Sequence, residues 1–290
     1  MDRTSTLHSD ITIRLAPLSD TPALDASVLI AHILNKHRTW VLAHPESALT
    51  QPQLDSLEQA VSRFENGEPL PYILGHWEFF GIDFEVTPTV LIPRPETELL
   101  VEKAIAWLQD TINQSNFLRV ADIGAGSGAI AICIAAHVPN VKIIATDISR
   151  KALQVAKRNA EIHSVDENIE FVECDLLPDP GGERLEVREL DLICANLPYI
   201  PTRELKNLRV YDWEPTLALD GGEDGLDQFR KLMKIAPEWL APNGLMLLEV
   251  EASQGTETLS LARAAFPVAH ISLHKDLAGK DRLLKIAVAN

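Results

Sequence analysis

The chain has 290 residues, of which 46% are hydrophobic and 23% are charged, enough apolar material for one large domain and a smaller one. Its 42 acidic and 26 basic side chains give a net charge of −16, which argues against binding to the phosphate backbone of nucleic acids. No apolar run reaches the length of a membrane span and the first 20 residues hold no signal-peptide core, so we expect a cytoplasmic protein without membrane contact.

Residues 1–74 predict a small helical domain. The first 20 residues mix polar side chains with a short apolar patch and predict a loosely ordered lead-in. An apolar stripe from Leu24 predicts the first helix. A second helix has Thr50 and Gln53 at the positions of a capping box and Gly67 where a C-cap glycine belongs. Because the domain has packing periodicity but no reactive constellation, we expect it to dock a protein substrate.

Residues 75–96 predict a β-hairpin that links this domain to the rest of the chain, with two short strands around Gly81. Arg94 lies between two prolines that hold it rigidly. It either points at a ligand or is a surface arginine in a stiff linker. Thr97 is placed to cap the helix that follows.

Residues 97–290 alternate between strand and helix, which predicts an α/β fold with a doubly wound, mostly parallel sheet. Ser149 is predicted to cap a long helix, and another helix is expected around residues 229–240. A short turn containing Gly279 joins the last two strands, so one antiparallel strand is expected at the edge of the sheet. The predicted strands are residues 120–123, 141–144, 169–172, 190–195, 245–250, 268–273 and 283–288.

Cysteines and histidines give no sign of a metal site. Cys133, Cys174 and Cys194 all lie in apolar runs and predict buried free thiols of a reducing compartment. The histidines of the helical domain are spaced for packing and for the surface, so no metal is expected.

A glycine-rich loop, Gly124-Ala125-Gly126-Ser127-Gly128, follows a predicted strand and opens a helix. Its glycines let the backbone approach a ligand, and Asp147, at the end of the next strand, is placed to accept from both hydroxyls of a ribose. These features indicate a nucleoside cofactor. The spacing from Gly124 and Gly126 to Ala129 also fits a dinucleotide fingerprint. Two features favour S-adenosylmethionine instead: Asp122 before the loop, and a four-residue motif that begins at Asn196 and is described next.

The Asn196 motif is Asn196-Leu197-Pro198-Tyr199, directly after a predicted buried strand. Pro198 restrains the backbone of Leu197, so the turn is stiff. The side-chain carbonyl of Asn196 and the backbone carbonyl of Leu197 are two acceptors beside the aromatic face of Tyr199. This arrangement suits a planar –NH2 group, and the alternative is an ordinary turn in which the asparagine has a capping role.

Together, the glycine loop and the Asn196 motif resemble class I methyltransferases that methylate planar amino groups. From Leu24 to the C-terminus the chain is similar to one family of that branch, the release factor glutamine methyltransferases (the HemK/PrmC family). The resemblance implies a seven-stranded class I methyltransferase sheet with a small N-terminal helical domain joined by a β-hairpin. The blocks that carry it are residues 75–81, 92–98, 214–215, 218–226 and 275–282.

The resemblance implies methyl transfer from S-adenosylmethionine, leaving S-adenosylhomocysteine, to the side-chain amide nitrogen (N5) of the Gly-Gly-Gln glutamine of class 1 peptide chain release factors. Direct displacement is expected, with orientation and electrostatics doing more than a general base. Asn196–Tyr199 would hold the glutamine, and Asn196, Pro198 and Tyr199 would be catalytic. Implied cofactor contacts are Asp122, Gly124, Ala125, Gly126, Ser127, Gly128, Asp147, Asp175, Leu176 (beside the adenine) and Asn196.

Two departures from the family pattern stand out: Leu197 replaces a usual proline, and the chain before Leu24 is short for the family's first helix. Leucine at that position also resembles rRNA adenine dimethylating enzymes. An N6-adenine methyltransferase acting on DNA or rRNA is therefore the alternative, which the acidic charge disfavours. Outside the methyltransferases, the alternative interpretations of the sequence are a nicotinamide-dependent oxidoreductase and a non-enzymatic binding module.

Overall fold

The computed structural model describes residues 3–112, 117–178 and 189–289. The chain divides into two compact units, Met1–His76 and Trp77–Asn290, and each is described by itself.

The first unit is helical from its start, so the prediction of a loosely ordered lead-in is wrong. Thr4, Ile11 and Leu15 lie on one face of the first helix and are buried, while Ile13 is 69% exposed. Spacings near whole helical turns, rather than alternation, therefore govern this segment. The helices of the unit are α1 (Thr4–Leu15), α2 (Pro22–Leu34), α3 (Arg38–Ala43), α4 (Gln51–Glu65) and α5 (Leu70–Leu74).

Helix α4 confirms the predicted capping signals. Thr50 and Gln53 form a reciprocal capping box at its start. After its end, Gly67 has a φ of +89°, the left-handed conformation in which a glycine costs least.

A β-hairpin formed by β1 (His76–Phe79) and β2 (Ile82–Glu85) confirms the predicted two strands. Phe80 and Gly81 between them both have positive φ values, +53° and +73°, as a two-residue hairpin turn of the primed type requires.

The main sheet has seven strands in the order β5-β4-β3-β6-β7-β9-β8, which confirms the doubly wound class I methyltransferase architecture. The sheet is parallel from β5 through β7, and β9 runs antiparallel to both of its neighbours. The strands are β3 (Leu118–Ile123), β4 (Val141–Asp147), β5 (Ile169–Glu173), β6 (Leu190–Ala195), β7 (Leu240–Glu249), β8 (His270–Lys275) and β9 (Asp281–Ala287).

The antiparallel strand was predicted at the edge, and this is wrong by one position. Strand β9 pairs with β7 on one side and with β8 on the other, so β8 is the edge strand. The burial explains the order, because Leu283, Leu284 and Ile286 of β9 are at most 1% exposed, whereas no residue of β8 is buried.

Helices cover both faces of the sheet. One core cluster packs α6 and α7 against it, and the other packs α9 and α10. Helix α9 is shorter than predicted, because Pro237 lies in a separate 3₁₀ turn and Leu240 already begins β7. Among the described residues, no helix is both long and apolar enough to span a bilayer. The helices of the second unit are α6 (Glu98–Thr111), α7 (Ala129–His137), α8 (Arg150–Ile162), α9 (Asp227–Ile235) and α10 (Gly255–Ala265).

Candidate active site

The strand order brings the two predicted motifs together. Strands β3 and β6 are parallel neighbours, with Ile123 opposite Ala195, so the loops that follow them meet at the carboxyl edge of the sheet. This is the point where the strand order reverses, the usual ligand site of such sheets. A cavity here is lined by these predicted site residues: Gly124, Gly126, Asp147, Asp175, Leu176, Asn196, Leu197 and Pro198.

Two glycines of the loop serve different purposes. Gly126 has a φ of +56° and lines the cavity, where an added Cβ would meet nothing within 4 Å. Gly128 does not line the cavity, and a Cβ there would lie 2.9 Å from Ile132 Cδ1 and 3.1 Å from Ala156 Cβ. Gly126 therefore presents bare backbone to a ligand, and Gly128 lets α7 pack closely on α8.

Asp122 holds the loop from behind. It is fully buried, and its Oδ2 accepts from the Ala131 backbone N–H over 3.0 Å. Burial raises the pKa of Asp122 to about 7. Its carboxylate thus ties the first turn of α7 to β3, and it does not line the cavity. Nor do Ala125 and Ser127, whose backbone shapes the loop.

Asp147 lies at the end of β4 and faces the cavity. Its Oδ2 accepts from the Gly126 N–H over 2.9 Å and its Oδ1 from the Ser149 N–H over 2.8 Å. Burial raises the pKa of Asp147, while these two N–H groups oppose the shift. A carboxylate has about four lone-pair sites, so roughly two remain for hydroxyl groups of a ligand. Ser149 also caps α8 as predicted, accepting from the Ala152 N–H.

The segment after β5 forms another part of the cavity wall. Leu176 has a φ of +63°, an uncommon conformation for a leucine, and its carbonyl accepts from the buried hydroxyl of Thr146. Asp175 is exposed and lies 3.6 Å from Lys231, which also lines the cavity. Cys174 is half-buried in the lining, so the prediction of buried thiols is wrong for this residue and confirmed for Cys133 and Cys194.

Asn196 is held through its amide nitrogen. Its Nδ2 donates to Thr97 Oγ1 over 2.9 Å, and Thr97 Oγ1 donates to Glu249 Oε2 over 2.6 Å. Thr97 lies at the N-cap position of α6 as predicted, but its side chain makes no capping bond to that helix. Its hydroxyl proton goes to the buried carboxylate instead.

The rest of the motif is divided between the cavity and its surroundings. Leu197 is 9% exposed and lines the cavity, and its Cδ2 lies 3.5 Å from the Cβ position built on Gly124. Pro198 lines the cavity as well. Tyr199 does not: its hydroxyl lies 3.5 Å from Glu249 Oε1, and its carbonyl accepts from Gln254 Nε2 over 3.0 Å.

Arg94 neither points into the cavity nor lies free on the surface. Its Nη2 contacts both carboxylate oxygens of Glu214, at 2.6 and 2.7 Å, and Glu214 is 3% exposed. Burial raises the pKa of Glu214, and the guanidinium opposes that shift. The pair fastens the segment that leads into α6 to the loop carrying Pro215 and Leu217, which line the cavity.

Asn159 is a supporting residue that sequence reasoning missed. It is fully buried, and its Nδ2 donates to Ser127 O (2.9 Å) and Glu85 O (3.0 Å) while its Oδ1 accepts from the Glu85 N–H (2.8 Å). It therefore ties the β-hairpin to the glycine loop. The available signal was its position on the otherwise apolar face of α8. The lining residues that were not predicted as site residues are Thr89, Val90, Leu91, Ile148, Ser149, Ala152, Cys174, Pro215, Leu217, Ala218, Gln228 and Lys231.

The comparisons with known proteins agree with this geometry. Residues 7–75 match the PrmC N-terminal domain and residues 99–209 match the methyltransferase small domain. A release factor glutamine methyltransferase of Moorella thermoacetica is 39% identical over 91% of this chain and 90% of its own. One of Coxiella burnetii is 38% identical over 95% of both chains. A methyltransferase structure from Pyrococcus furiosus shares the fold, with a TM-score of 0.51 at 19% identity over 81% of this chain and 100% of its own.

The doubly wound sheet with its glycine loop, together with the matching methyltransferase domain, makes this chain an enzyme of the methyltransferase class. The two relatives, matched over nearly their whole length, narrow the assignment. The chain belongs to the release factor glutamine methyltransferase family.

Proposed function

We propose that the protein transfers a methyl group from S-adenosylmethionine to the side-chain amide nitrogen (N5) of the Gly-Gly-Gln glutamine of class 1 peptide chain release factors, leaving S-adenosylhomocysteine. Two relatives more than a third identical to the chain carry the matching name. The reaction would take place in the cytoplasm.

The cofactor side of the cavity fits an adenosine-bearing ligand. Asp147 has lone pairs left for two ribose hydroxyls, Gly126 offers open backbone, and Leu176 offers an apolar surface for the adenine. When bound, S-adenosylmethionine supplies an electrophilic methyl group on a sulfonium sulfur. The Cys174 thiol in the same lining does not compete as a nucleophile, because burial raises its pKa to about 11.

The observation that carries the proposal is the orientation of Asn196. Its Nδ2 donates to Thr97, which leaves Oδ1 to accept from a ligand, and both Asn196 and Leu197, whose backbone carbonyl is the second acceptor, line the cavity. Two acceptors side by side match the two hydrogens of a primary amide. Because an amide nitrogen is a poor nucleophile, holding both hydrogens aims its lone pair and gains more than a base would. The stacking role of Tyr199 on the amide plane stays a prediction.

Leucine in place of the usual proline leaves this arrangement intact. Only the backbone carbonyl of Leu197 is used, and Pro198 still restrains the backbone before it. The Leu197 side chain is itself buried against the glycine loop, so its added bulk has a place to pack.

We propose further that the first unit docks the release factor. Residues 7–75 match the PrmC N-terminal domain, and the described part of the unit has no group of acids, histidines or cysteines that could hold a metal. A truncated chain beginning at Gly75 should keep cofactor affinity and lose methylation of an intact release factor. A short Gly-Gly-Gln peptide is the matched control, because the full and truncated chains should methylate it equally poorly. Full-rate methylation of the intact factor by the truncated chain would refute the docking role.

The test of the proposed function is the fate of a labelled methyl group. The enzyme is incubated with methyl-labelled S-adenosylmethionine and, separately, with a class 1 release factor, genomic DNA and rRNA. We expect label in the release factor alone. A methyltransferase that acts on adenine in DNA or rRNA needs contacts to the phosphates, and the net charge of −16 of this chain disfavours such contacts. Label in either nucleic acid, with none in the release factor, would replace the proposal by the adenine alternative.

A further inference from the structure

Three side chains from distant parts of the chain form one series of hydrogen bonds at the Asn196 motif. Asn196 Nδ2 donates to Thr97 Oγ1, and Thr97 Oγ1 donates to Glu249 Oε2. Thr97 and Glu249 are each 5% exposed, so water hardly competes for these groups. Strands β6 and β7 pair with Ala195 opposite Leu248, which brings the next residue of each strand, Asn196 and Glu249, to the same edge.

The last member fixes the direction of the series. A carboxylate can only accept hydrogen bonds, and a hydroxyl has one proton, so the Thr97 proton goes to Glu249. Thr97 Oγ1 can then only accept a hydrogen bond from Asn196, so Asn196 must donate through Nδ2. Because the asparagine amide is planar, its Oδ1 turns to the opposite side and is left for another donor.

The charged and titratable groups around Glu249 come from three other segments. Arg282 on β9 is the cation whose charge favours the carboxylate, and the Tyr199 hydroxyl lies 3.5 Å from Oε1. Glu96, next to Thr97, is the acid whose charge opposes it. The arginine thus helps Glu249 remain an acceptor although it is buried.

We propose that Thr97 and Glu249 are positioning residues that fix the polarity of Asn196, so that its Oδ1 accepts from the substrate –NH2. Neither residue touches the substrate. The consequence is selection by hydrogen-bond polarity: an amide or amino group fits, and a carboxylate or a bare carbonyl does not. This inference rests on the proposed function, because the substrate nitrogen is taken as the donor to Asn196.

The test compares three threonine variants of the full chain. Thr97→Val removes the hydroxyl, Thr97→Ser keeps it, and Thr111→Val is the matched control, since it removes a hydroxyl that donates only to the Trp107 carbonyl of its own helix. We expect kcat with a release factor to fall by roughly tenfold to a hundredfold in Thr97→Val, by about threefold at most in Thr97→Ser, and not in Thr111→Val. Cofactor affinity, measured by calorimetry, should stay within about twofold in all three.

Two kinetic outcomes would overturn the inference. One is a wild-type kcat in folded Thr97→Val, and the other is an equal loss in Thr97→Ser and Thr97→Val. Should Thr97→Val fail to fold, Glu249→Gln takes its place, because an amide at this position can also donate and no longer forces the direction. We expect it to fold and to lose several-fold in kcat, and an unchanged kcat would contradict the inference.

A second measurement does not depend on the substrate. In protein labelled with ¹⁵N-asparagine, the side-chain amide signal of Asn196, assigned by its loss in Asn196→Asp, should shift in Thr97→Val and stay in Thr111→Val. If the signal shifts but no release factor is methylated, the proposed function fails and the positioning series stands. An unmoved signal would reject the series whatever the substrate is.

Discussion

The two walls of the cavity are built in different ways. The proposed cofactor wall combines the backbone of Gly124 and Gly126, in a loop fixed from behind by Asp122 and Asn159, with the side chain of Asp147. The proposed acceptor wall depends on Thr97, Asn196 and Glu249, three side chains that are joined by hydrogen bonds and of which the first and last are 152 residues apart. Loss of one side chain should therefore affect binding of the donor or transfer to the acceptor, but not both equally.

Asn196→Ala should have the largest effect and so test the separation most severely. It removes one of the two acceptors proposed to orient the substrate nitrogen, so kcat should fall by roughly a hundredfold to a thousandfold. Cofactor affinity should fall by no more than about tenfold, the loss of one neutral hydrogen bond. Kinetics at saturating cofactor together with calorimetry would separate the two. A loss of cofactor affinity as large as the loss in kcat would mean that the walls are not independent.

Asp147→Ala should show the converse. Loss of hydrogen bonds to a charged acceptor should weaken binding of S-adenosylmethionine by roughly 1–3 kcal/mol. With cofactor at saturation, kcat should be largely retained. Calorimetry checks the first part, and Asp166→Ala, which removes an exposed acid elsewhere, is the control for the change in net charge. Unchanged affinity in Asp147→Ala would refute the assignment of the cofactor wall.

The acceptor wall should also respond to pH. Burial raises the pKa of Glu249 to about 7, so lowering the pH protonates it and removes the obligate acceptor of the Thr97 proton. The kcat should fall as the pH drops through about 7 and should level off at the several-fold loss expected of Glu249→Gln, whose side chain is uncharged like the protonated acid. In Glu249→Gln this acidic limb should disappear. If the limb persists unchanged in that variant, another group is responsible.

Neither unfolding nor a neighbouring group should account for that limb. A raised carboxyl pKa means that the folded state binds the proton more tightly, so this group stabilises the fold as the pH falls through 7. Thermal unfolding measured at each pH checks this sign. The pKa of Asp122 is also raised to about 7, but its carboxylate contacts α7 on the cofactor wall, so the Glu249→Gln comparison isolates the acceptor side.

Leu197→Pro should have the smallest effect. The backbone carbonyl that would receive the substrate N–H is kept, so kcat/KM should change by no more than about threefold. The melting temperature should fall slightly, since the variant loses apolar contact between Leu197 and the glycine loop. A large loss of kcat/KM would show that the leucine side chain itself shapes the acceptor wall.

The difference between a wall built from short local stretches and a wall built from distant side chains also explains what could be predicted from the sequence. The glycine loop, Asp147 and the Asn196 motif are short stretches at strand ends, so alternation of strand and helix was enough to place them together. Thr97 was predicted as a helix cap because a threonine before a helix usually is one. Its bond to Glu249 spans 152 residues and joins the segment before α6 to the end of β7, a long-range contact that no local pattern in the sequence shows.

Local periodicity failed where two patterns fitted the same residues. Ile11, Ile13 and Leu15 alternate, but only the first and last are buried, and the segment is a helix. The place of β9 between β7 and β8 was not predictable from turn length. A short turn shows that β8 and β9 pair with each other, but it does not show which of the two lies next to β7. Glu249 ends an apolar run, where nothing in the sequence distinguishes a buried acceptor from a solvent-facing acid.

The most direct test of the central claim is where the methyl group is placed. A class 1 release factor and its variant with Glu in place of the Gly-Gly-Gln glutamine are incubated with the enzyme and labelled S-adenosylmethionine, and peptide mapping locates the label. We expect one methyl group on the amide nitrogen of that glutamine and none on the Glu variant, because a carboxylate has no N–H for Asn196 and Leu197 to hold. Label that persists on the Glu variant, or maps to another residue, would contradict the account.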